Sequence, residues 1–297
     1  MTASFRDPAP EELFLDANGL RLHALAWGPP EAEAKGPTVL LAHGFLDLAW
    51  SWAPYAARLA ARGQRCVAWD WRGHGESDHV GAGGYYHFPD YVRDLHELRP
   101  QLAQGDVHLV AHSMGGAVAC MYAGLRPEGL RSLTVIEGLG PPEWKVERAP
   151  EKVLQWFEGL DRARARTPRV IASYAEAVKR MRVQNAALSE ELGLFLAEKA
   201  LRPVPGGYAW RFDPLHRTTS PTPFRKAALE AFCQRVDVPV LLVAGARGFR
   251  LADEAERADW FPAARLVELP DVGHMIHQVA PEALDGITRA HFADAIA

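Results

Sequence analysis

One short stretch, residues 107–116, restricts the possible fold more than any other part of the sequence. It begins with an apolar run that favours a β-strand and continues into small residues that allow a helix to pack closely. A strand that passes directly into a helix forces a sharp turn between them, and Ser113 occupies that turn. The helix beginning there directs free N–H groups and the positive end of its dipole toward the Ser113 hydroxyl. The stretch therefore predicts a nucleophile and a place for its oxyanion.

Buried strands alternate with helical segments through most of the chain. Continuous apolar runs, which are typical of strands buried on both faces, cover residues 38–42, 66–69, 107–110, 133–136 and 238–245. Helical periodicity occurs between several of these runs, and a terminal helix is predicted from about residue 281. An Asn-Gly pair between two N-terminal apolar segments indicates a β-hairpin. This alternation predicts an α/β protein, with a mostly parallel sheet covered by helices on both faces.

Residues 140–236 interrupt the alternation of strands and helices. The segment is helical in pattern and is punctuated by prolines, beginning with Pro141 and Pro142. We therefore expect a core domain formed by residues 1–139 and 237–297, with residues 140–236 inserted as a helical cap. Parallel sheets of this kind bind ligands outside the carboxyl ends of their strands, and the cap is expected to lie over that edge.

Composition excludes several functional classes. The 297 residues are 48% hydrophobic and 24% charged with a net charge of −4, which indicates neither nucleic acid nor an anionic membrane as a partner. The three cysteines are far apart within apolar stretches, so we predict buried thiols rather than a disulfide framework or a zinc site. The N-terminus has no apolar leader, and no run of 18 apolar residues occurs, so the expected protein is soluble and cytoplasmic.

Four motifs together resemble the α/β-hydrolase superfamily. They are His43-Gly44-Phe45, the stretch 70–77 (Asp-Trp-Arg-Gly-His-Gly-Glu-Ser), His112-Ser113-Met114-Gly115-Gly116 and Gly273-His274. They occur in the expected order over essentially the whole chain. The sequence looks similar to haloalkane dehalogenase relatives and to serine hydrolase-like proteins, although Ala111 stands where the turn usually has glycine. The resemblance implies the α/β-hydrolase fold.

Ser113 and His274 are the predicted nucleophile and base. A serine before a helix can be a simple N-cap, but the glycine pair and the preceding strand favour a nucleophile. A neutral hydroxyl needs an adjacent base, and His274 lies on a loop after the last predicted strand, from which it can reach across the sheet edge. His277, about one turn further on, is the nearest rival for this role.

Glu137 is the predicted acid. The superfamily commonly places an aspartate shortly after the strand ending at Gly245, yet residues 245–250 contain no carboxylate. Asp253 and Glu254 come later and are expected to belong to the following helix. In the superfamily a second position for the acid is known. It lies at the end of the strand that follows the helix after Ser113, where this sequence has Glu137. The alternative is that Glu137 only ends a strand or pairs with an arginine.

The oxyanion would be held by backbone amides. Met114, directly after the nucleophile, supplies one N–H group, and the resemblance implies Phe45 for the other. Candidate pocket residues are His43, Gly44, Trp50, Trp52 and Trp144. The stretch 161–182 carries seven basic and two acidic residues; a solvated cap face is the favoured interpretation, and recognition of an acidic substrate or partner is the alternative.

The sequence thus predicts a serine hydrolase that acts on small carboxylic esters or related acyl compounds. Haloalkane dehalogenases and epoxide hydrolases of this fold attack with a carboxylate, so a serine at position 113 argues against both activities. Two alternatives remain: carbon–carbon bond hydrolysis of a diketone-like ring-cleavage product, and a non-catalytic binding protein, favoured only by the missing carboxylate near Gly248. No phosphate-binding loop, dinucleotide fingerprint or metal-ligand spacing occurs, so neither a cofactor nor a metal is expected; the expected partner is a small-molecule substrate.

Overall fold

A computed structural model describes residues 5–165 and 169–295. The strands are β1 (Glu11–Ala17), β2 (Leu20–Trp27), β3 (Thr38–Ala42), β4 (Cys66–Trp69), β5 (Val107–His112), β6 (Leu130–Ile136), β7 (Leu201–Val204), β8 (Gly207–Trp210), β9 (Val240–Arg247) and β10 (Ala264–Gly273). The helices are α1 (Ala53–Ala61), α2 (Phe88–Leu102), α3 (Met114–Gly124), α4 (Ala149–Ala165), α5 (Tyr174–Met181), α6 (Glu190–Ala200), α7 (Lys226–Cys233), α8 (Glu254–Ala258), α9 (Ile276–Val279) and α10 (Pro281–Asp294). No helix in these ranges has both the length and the apolarity needed to cross a bilayer.

Eight of the strands form one sheet, in the order β1-β2-β4-β3-β5-β6-β9-β10. The strands β1, β2 and β4 pair antiparallel, and every pairing from β4 through β10 is parallel. In the centre of the sheet, Leu41 lies opposite Ala68 on one side and Val110 on the other. The predicted mostly parallel α/β sheet is therefore confirmed, and the carboxyl ends of β5, β6, β9 and β10 meet at one edge.

The central strands are continuous apolar runs because helices cover both faces of the sheet. Successive side chains point to opposite faces, so Leu40 and Leu109 pack into one buried cluster and Leu41 and Val110 into the other. The first cluster includes residues of α2, α3 and α7, and the second includes residues of α1 and α10. The core is therefore divided into two layers by the sheet.

Residues 140–236 are not purely helical, which corrects the expectation for this segment. After α4, α5 and α6, the strands β7 and β8 form an antiparallel hairpin in which Leu201 pairs with Trp210. Gly206 has a φ of 85°, which a glycine adopts without strain and which closes the tight turn. Each strand has only four residues, too short a run to show a period of two in the sequence.

Candidate active site

Ser113 sits in a strained backbone conformation between β5 and α3, with φ 53° and ψ −118°. Two glycines allow the helix to approach its neighbours closely. A Cβ at Gly115 would lie 2.5 Å from the carbonyl oxygen of His43, and one at Gly116 would lie 2.7 Å from the Cα of Gly138. The tight packing of α3 thus holds the partly exposed Ser113 side chain at the carboxyl edge of the sheet.

The structure brings Ser113, His274 and Glu137 together, although 161 residues separate the serine from the histidine. The Nε2 atom of His274 lies 3.1 Å from the Oγ of Ser113. The Nδ1 atom of the same ring lies 2.5 Å from the Oε2 of Glu137. Ser113 follows β5, Glu137 follows β6 and His274 follows β10, so the three side chains meet because their strands end at the same edge.

The carboxylate of Glu137 is buried and accepts hydrogen bonds from three donors. The amide of Gly245 donates to Oε1 at 2.8 Å, and the amide of Phe249 donates to Oε2 at 2.8 Å, beside the bond from His274. Burial acts to raise the pKa of Glu137, but the hydrogen bonds from His274 and from the two amides outweigh it and lower the pKa. The residue is therefore held as a carboxylate next to the imidazole.

Gly248 explains how a carboxylate from β6 occupies the loop after β9. A Cβ at this position would lie 1.6 Å from the Oε1 of Glu137, so only glycine leaves room for the carboxylate. The loop supplies amide donors to the carboxylate instead of an aspartate of its own. Sequence reasoning missed this role of the loop; the glycine at a position without an acid was the available signal. Asp253 and Glu254 pair instead with Arg257 and Arg250.

The amides of Phe45 and Met114 are available to a ligand. Within the described part of the chain neither of them donates a hydrogen bond. Gly44 packs against the turn that carries Ser113, since a Cβ on Gly44 would lie 3.1 Å from the Cβ of Ser113. The backbone that precedes Phe45 is therefore adjacent to Ser113, as an oxyanion-binding role beside this serine would require.

His43 is a buried support for this loop and not a pocket residue, contrary to expectation. Its Nδ1 donates to the carbonyl oxygen of Gly44 at 2.7 Å, and its Nε2 accepts from the amide of Trp71 at 3.0 Å. The indole of Trp71 in turn donates to the carbonyl oxygen of His43 at 2.9 Å. Burial lowers the pKa of His43, so the ring stays neutral and can serve as both donor and acceptor.

The expectation that Trp52 lines the pocket is wrong. Its side chain is fully buried, and its ring packs on His277 with centroids 4.4 Å apart, because the short 3₁₀ turn before α1 directs it into the core. Trp50 packs edge-on against Trp27 and Phe195, and so contributes to the contact between the core and α6.

Trp144, the remaining aromatic pocket candidate, lies in the segment between β6 and α4. The guanidinium of Arg148 and the ammonium of Lys152 lie over its ring, 4.5 and 3.8 Å from the centroid. The ring of Trp144 is thus engaged by two cations of the following turn and of α4, and its role as a pocket residue stays a prediction.

Two further histidines support the loop that carries His274. The Nε2 of His112 donates to the carbonyl oxygen of His274 at 3.0 Å, and burial, followed by repulsion from His277, lowers the pKa of His112 well below its usual value. His277 contacts Ser51 and Asp47 rather than Ser113, so it is not placed as the base. Asp47, His112 and His277 each offer a ligand atom within 4.8 Å of the others, a possible metal-binding set that the sequence did not suggest.

Comparison with known proteins identifies the family. The family model for the α/β hydrolase fold matches residues 37–281, which is most of the chain. The chain belongs to the α/β-hydrolase fold family. This α/β hydrolase is 31% identical over 203 residues to a serine hydrolase-like protein of Danio rerio, a match that covers 65% of the chain and 58% of the relative. It is 26% identical over 236 residues to a serine hydrolase-like protein of Dictyostelium discoideum, with 76% and 64% covered. The chain therefore spans less than two thirds of the length of these relatives.

Solved structures agree with this assignment. A hypothetical protein of Pseudomonas aeruginosa PAO1 superposes with a TM-score of 0.84 at 31% identity, over 97% of this α/β hydrolase and all of that chain. A thioesterase domain from the curacin biosynthetic pathway superposes with a TM-score of 0.84 at 29% identity, over 95% of this chain and 99% of that one.

Proposed function

We propose that this α/β hydrolase is a serine hydrolase that cleaves small carboxylic esters or related acyl compounds through an acyl-enzyme on Ser113. The observation that carries the proposal is the unbroken series of contacts from the Ser113 Oγ to the two ring nitrogens of His274 and on to the carboxylate of Glu137. The similarity to serine hydrolase-like proteins and to a thioesterase domain supports the same class of reaction.

Glu137 sets the tautomer of His274 in this mechanism. The carboxylate accepts a hydrogen bond from the N–H group at Nδ1, so the ring keeps its proton on Nδ1 and Nε2 faces the Ser113 hydroxyl as an acceptor. When Oγ attacks the carbonyl carbon of the substrate, Nε2 takes its proton. The buried carboxylate then stabilises the imidazolium, and the two backbone amides keep the carboxylate in place.

The amides of Phe45 and Met114 would bind the oxygen that becomes negative during the attack. Among the described residues neither amide has another acceptor, and Met114 begins α3, so the positive end of the helix dipole adds to its amide. His274 then gives its proton to the leaving group. A water molecule, deprotonated by the same imidazole, attacks the acyl-enzyme, and the acid leaves as the Ser113 hydroxyl is regenerated.

The non-catalytic alternative loses the feature that favoured it. That alternative rested on the missing carboxylate near Gly248, and the carboxylate of Glu137 lies against this glycine and contacts His274. Carbon–carbon bond hydrolysis would use the same three side chains, so the choice between an ester and a diketone depends on substrate measurements.

Labelling with a fluorophosphonate probe tests the proposal. The wild-type protein should be labelled at Ser113, and Ser113→Ala should abolish labelling and reduce nitrophenyl ester turnover by several orders of magnitude. Ser220→Ala, at an exposed serine outside the site, is the matched control and should behave as wild type. A series of nitrophenyl esters of increasing chain length, assayed beside a diketone, then measures pocket depth and separates the two reactions. Equal turnover by Ser113→Ala and wild type would refute the mechanism.

A further inference from the structure

A concave groove of about 870 Å³ lies along the segment between β6 and β9. Its basic lining residues are His79, Arg162, Arg169, Arg180, Arg202 and Arg217. Among the described residues that line it there is no aspartate or glutamate. His79 is turned toward Asp213, a buried carboxylate 3.6 Å away that lies outside the lining.

The five arginines come from four separate elements and one connecting segment. Arg162 belongs to α4, Arg180 to α5 and Arg202 to β7. Arg169 precedes α5, and Arg217 ends a short 3₁₀ turn, Pro214–Arg217. The arginines therefore lie together because separate segments pack against one another. A solvated cap face, the interpretation favoured from the sequence, would instead place them on the polar face of a single helix.

The positive charge in the groove is only partly compensated. Arg162 and Arg180 each pair with a glutamate on their own helix. Within the described chain, Arg169, Arg202 and Arg217 have no carboxylate in salt-bridge distance. Burial, followed by repulsion from Arg180, lowers the pKa of Arg217, as expected for a guanidinium that lies near a second one.

A multiply charged anion fits this groove. A concave surface lined by one sign of charge focuses the electric field and concentrates counter-ions. The planar, two-pronged guanidinium group binds phosphate through paired hydrogen bonds, which a lysine cannot reproduce. Several phosphate oxygens are needed to satisfy several guanidinium groups at once, and the hydroxyl-bearing residues Thr218 and Thr219 also line the groove.

One short turn connects the groove with Phe45, a candidate oxyanion residue. Pro214 and Arg217 of this turn line the groove. His216 of the same turn packs edge-on against the ring of Phe45, with centroids 6.0 Å apart. The turn Pro214–Arg217 therefore lines the groove with one part and contacts Phe45 with another, so it lies between the groove and the candidate oxyanion residue.

We propose that the groove binds the phosphate groups of an extended acyl substrate, whose acyl end is presented to Ser113. The inference rests on the proposed serine hydrolase function and adds the substrate class to it. For an acyl thioester, Ser113 Oγ attacks the carbonyl carbon and the carbon–sulfur bond breaks. The thiol leaves with the proton that His274 took from the serine, and water then releases the acid.

Binding is measured without hydrolysis by titrating coenzyme A and pantetheine, which lacks the nucleotide phosphates, into the Ser113→Ala protein in a calorimeter. We expect coenzyme A to bind at least tenfold more tightly than pantetheine. Arg202→Gln and Arg217→Gln should each weaken coenzyme A binding by about fivefold or more, since each removes a charged hydrogen-bond donor. Arg93→Gln, at an exposed arginine of α2 that pairs with Glu97, is the matched control and should change nothing. Equal affinities for coenzyme A and pantetheine would overturn the inference, and so would tighter binding of a dicarboxylate such as succinate.

Kinetics separate a failure of this inference from a failure of the proposed function. In the otherwise wild-type protein, Arg202→Gln and Arg217→Gln should raise the KM for acetyl-coenzyme A by at least fivefold more than the KM for nitrophenyl acetate, which carries no phosphate. If nitrophenyl acetate is hydrolysed through Ser113 but neither arginine affects the thioester, the groove assignment is wrong and the function stands. If coenzyme A binds but the fluorophosphonate does not label Ser113, the function is wrong and the groove assignment stands.

Discussion

Glu137→Gln preserves the size of the side chain but changes its hydrogen bonding. In the native protein both carboxylate oxygens accept, from the amides of Gly245 and Phe249 and from the Nδ1 of His274. A glutamine has one acceptor oxygen and an NH₂ group that only donates. With its oxygen toward Gly245, the NH₂ group faces the amide of Phe249 and the imidazole. The amide of Phe249 then loses its acceptor. The imidazole of His274 must accept from the NH₂ group at Nδ1, and it therefore carries its proton on Nε2.

The expected losses of turnover and of folding free energy follow from the altered imidazole tautomer and from the unpaired amide. An imidazole with its proton on Nε2 cannot accept the Ser113 proton, so turnover should fall on the order of 10³- to 10⁴-fold, or about 4 to 5.5 kcal/mol of transition-state stabilisation. The orphaned amide should cost about 1 to 3 kcal/mol of folding free energy. A domain with a typical stability of about 5 to 15 kcal/mol remains folded after that loss.

Initial rates with nitrophenyl acetate, together with thermal melting followed by circular dichroism, test this prediction. Asp253→Asn and Glu254→Gln are the matched controls, because these carboxylates lie nearby but pair with arginines. Both controls should retain wild-type turnover. The reasoning fails if the folded Glu137→Gln protein keeps its turnover, or if either control loses turnover to the extent expected for Glu137→Gln.

Three further substitutions have defined outcomes. Gly248→Ala should reproduce the activity loss of Glu137→Gln, since its Cβ would lie 1.6 Å from Oε1, whereas Gly81→Ala, in open space, should leave nitrophenyl ester turnover unchanged. Gly286→Ala, in open space within α10, should raise the free energy of unfolding in urea by about 0.5 to 1 kcal/mol; a decrease would contradict this. Burial lowers the pKa of His108 from 6.5 to about 4, so this histidine should account for about 3 kcal/mol of the stability that is lost as the pH falls from above 6.5 to about 4. His108→Gln should remove this loss, measured as the difference between urea midpoints at pH 7 and pH 4.

The sequence predicted those parts of the candidate site that depend on residues close together in the chain. Ser113 was recognisable because a strand, a small-residue turn and a helix follow one another directly in the sequence. Glu137 was suggested by the resemblance, which offers a second position for the acid at the end of β6 when the loop after β9 lacks one. The pocket was not predictable in the same way. Trp52 and His43 lie next to the predicted oxyanion residues in sequence, yet the backbone directs both side chains into the interior.

The sequence by itself determined the alternation of buried strands and helices and the sharp turn that carries Ser113, because each depends on residues within a few positions of one another. Only the tertiary structure decided that the carboxylate of Glu137 fills the space left by Gly248, that the hairpin β7–β8 interrupts a helical segment, and that arginines from four elements and a connecting segment line one groove. These features depend on contacts between segments that are far apart in the sequence, and local patterns of residues do not specify which of those contacts form.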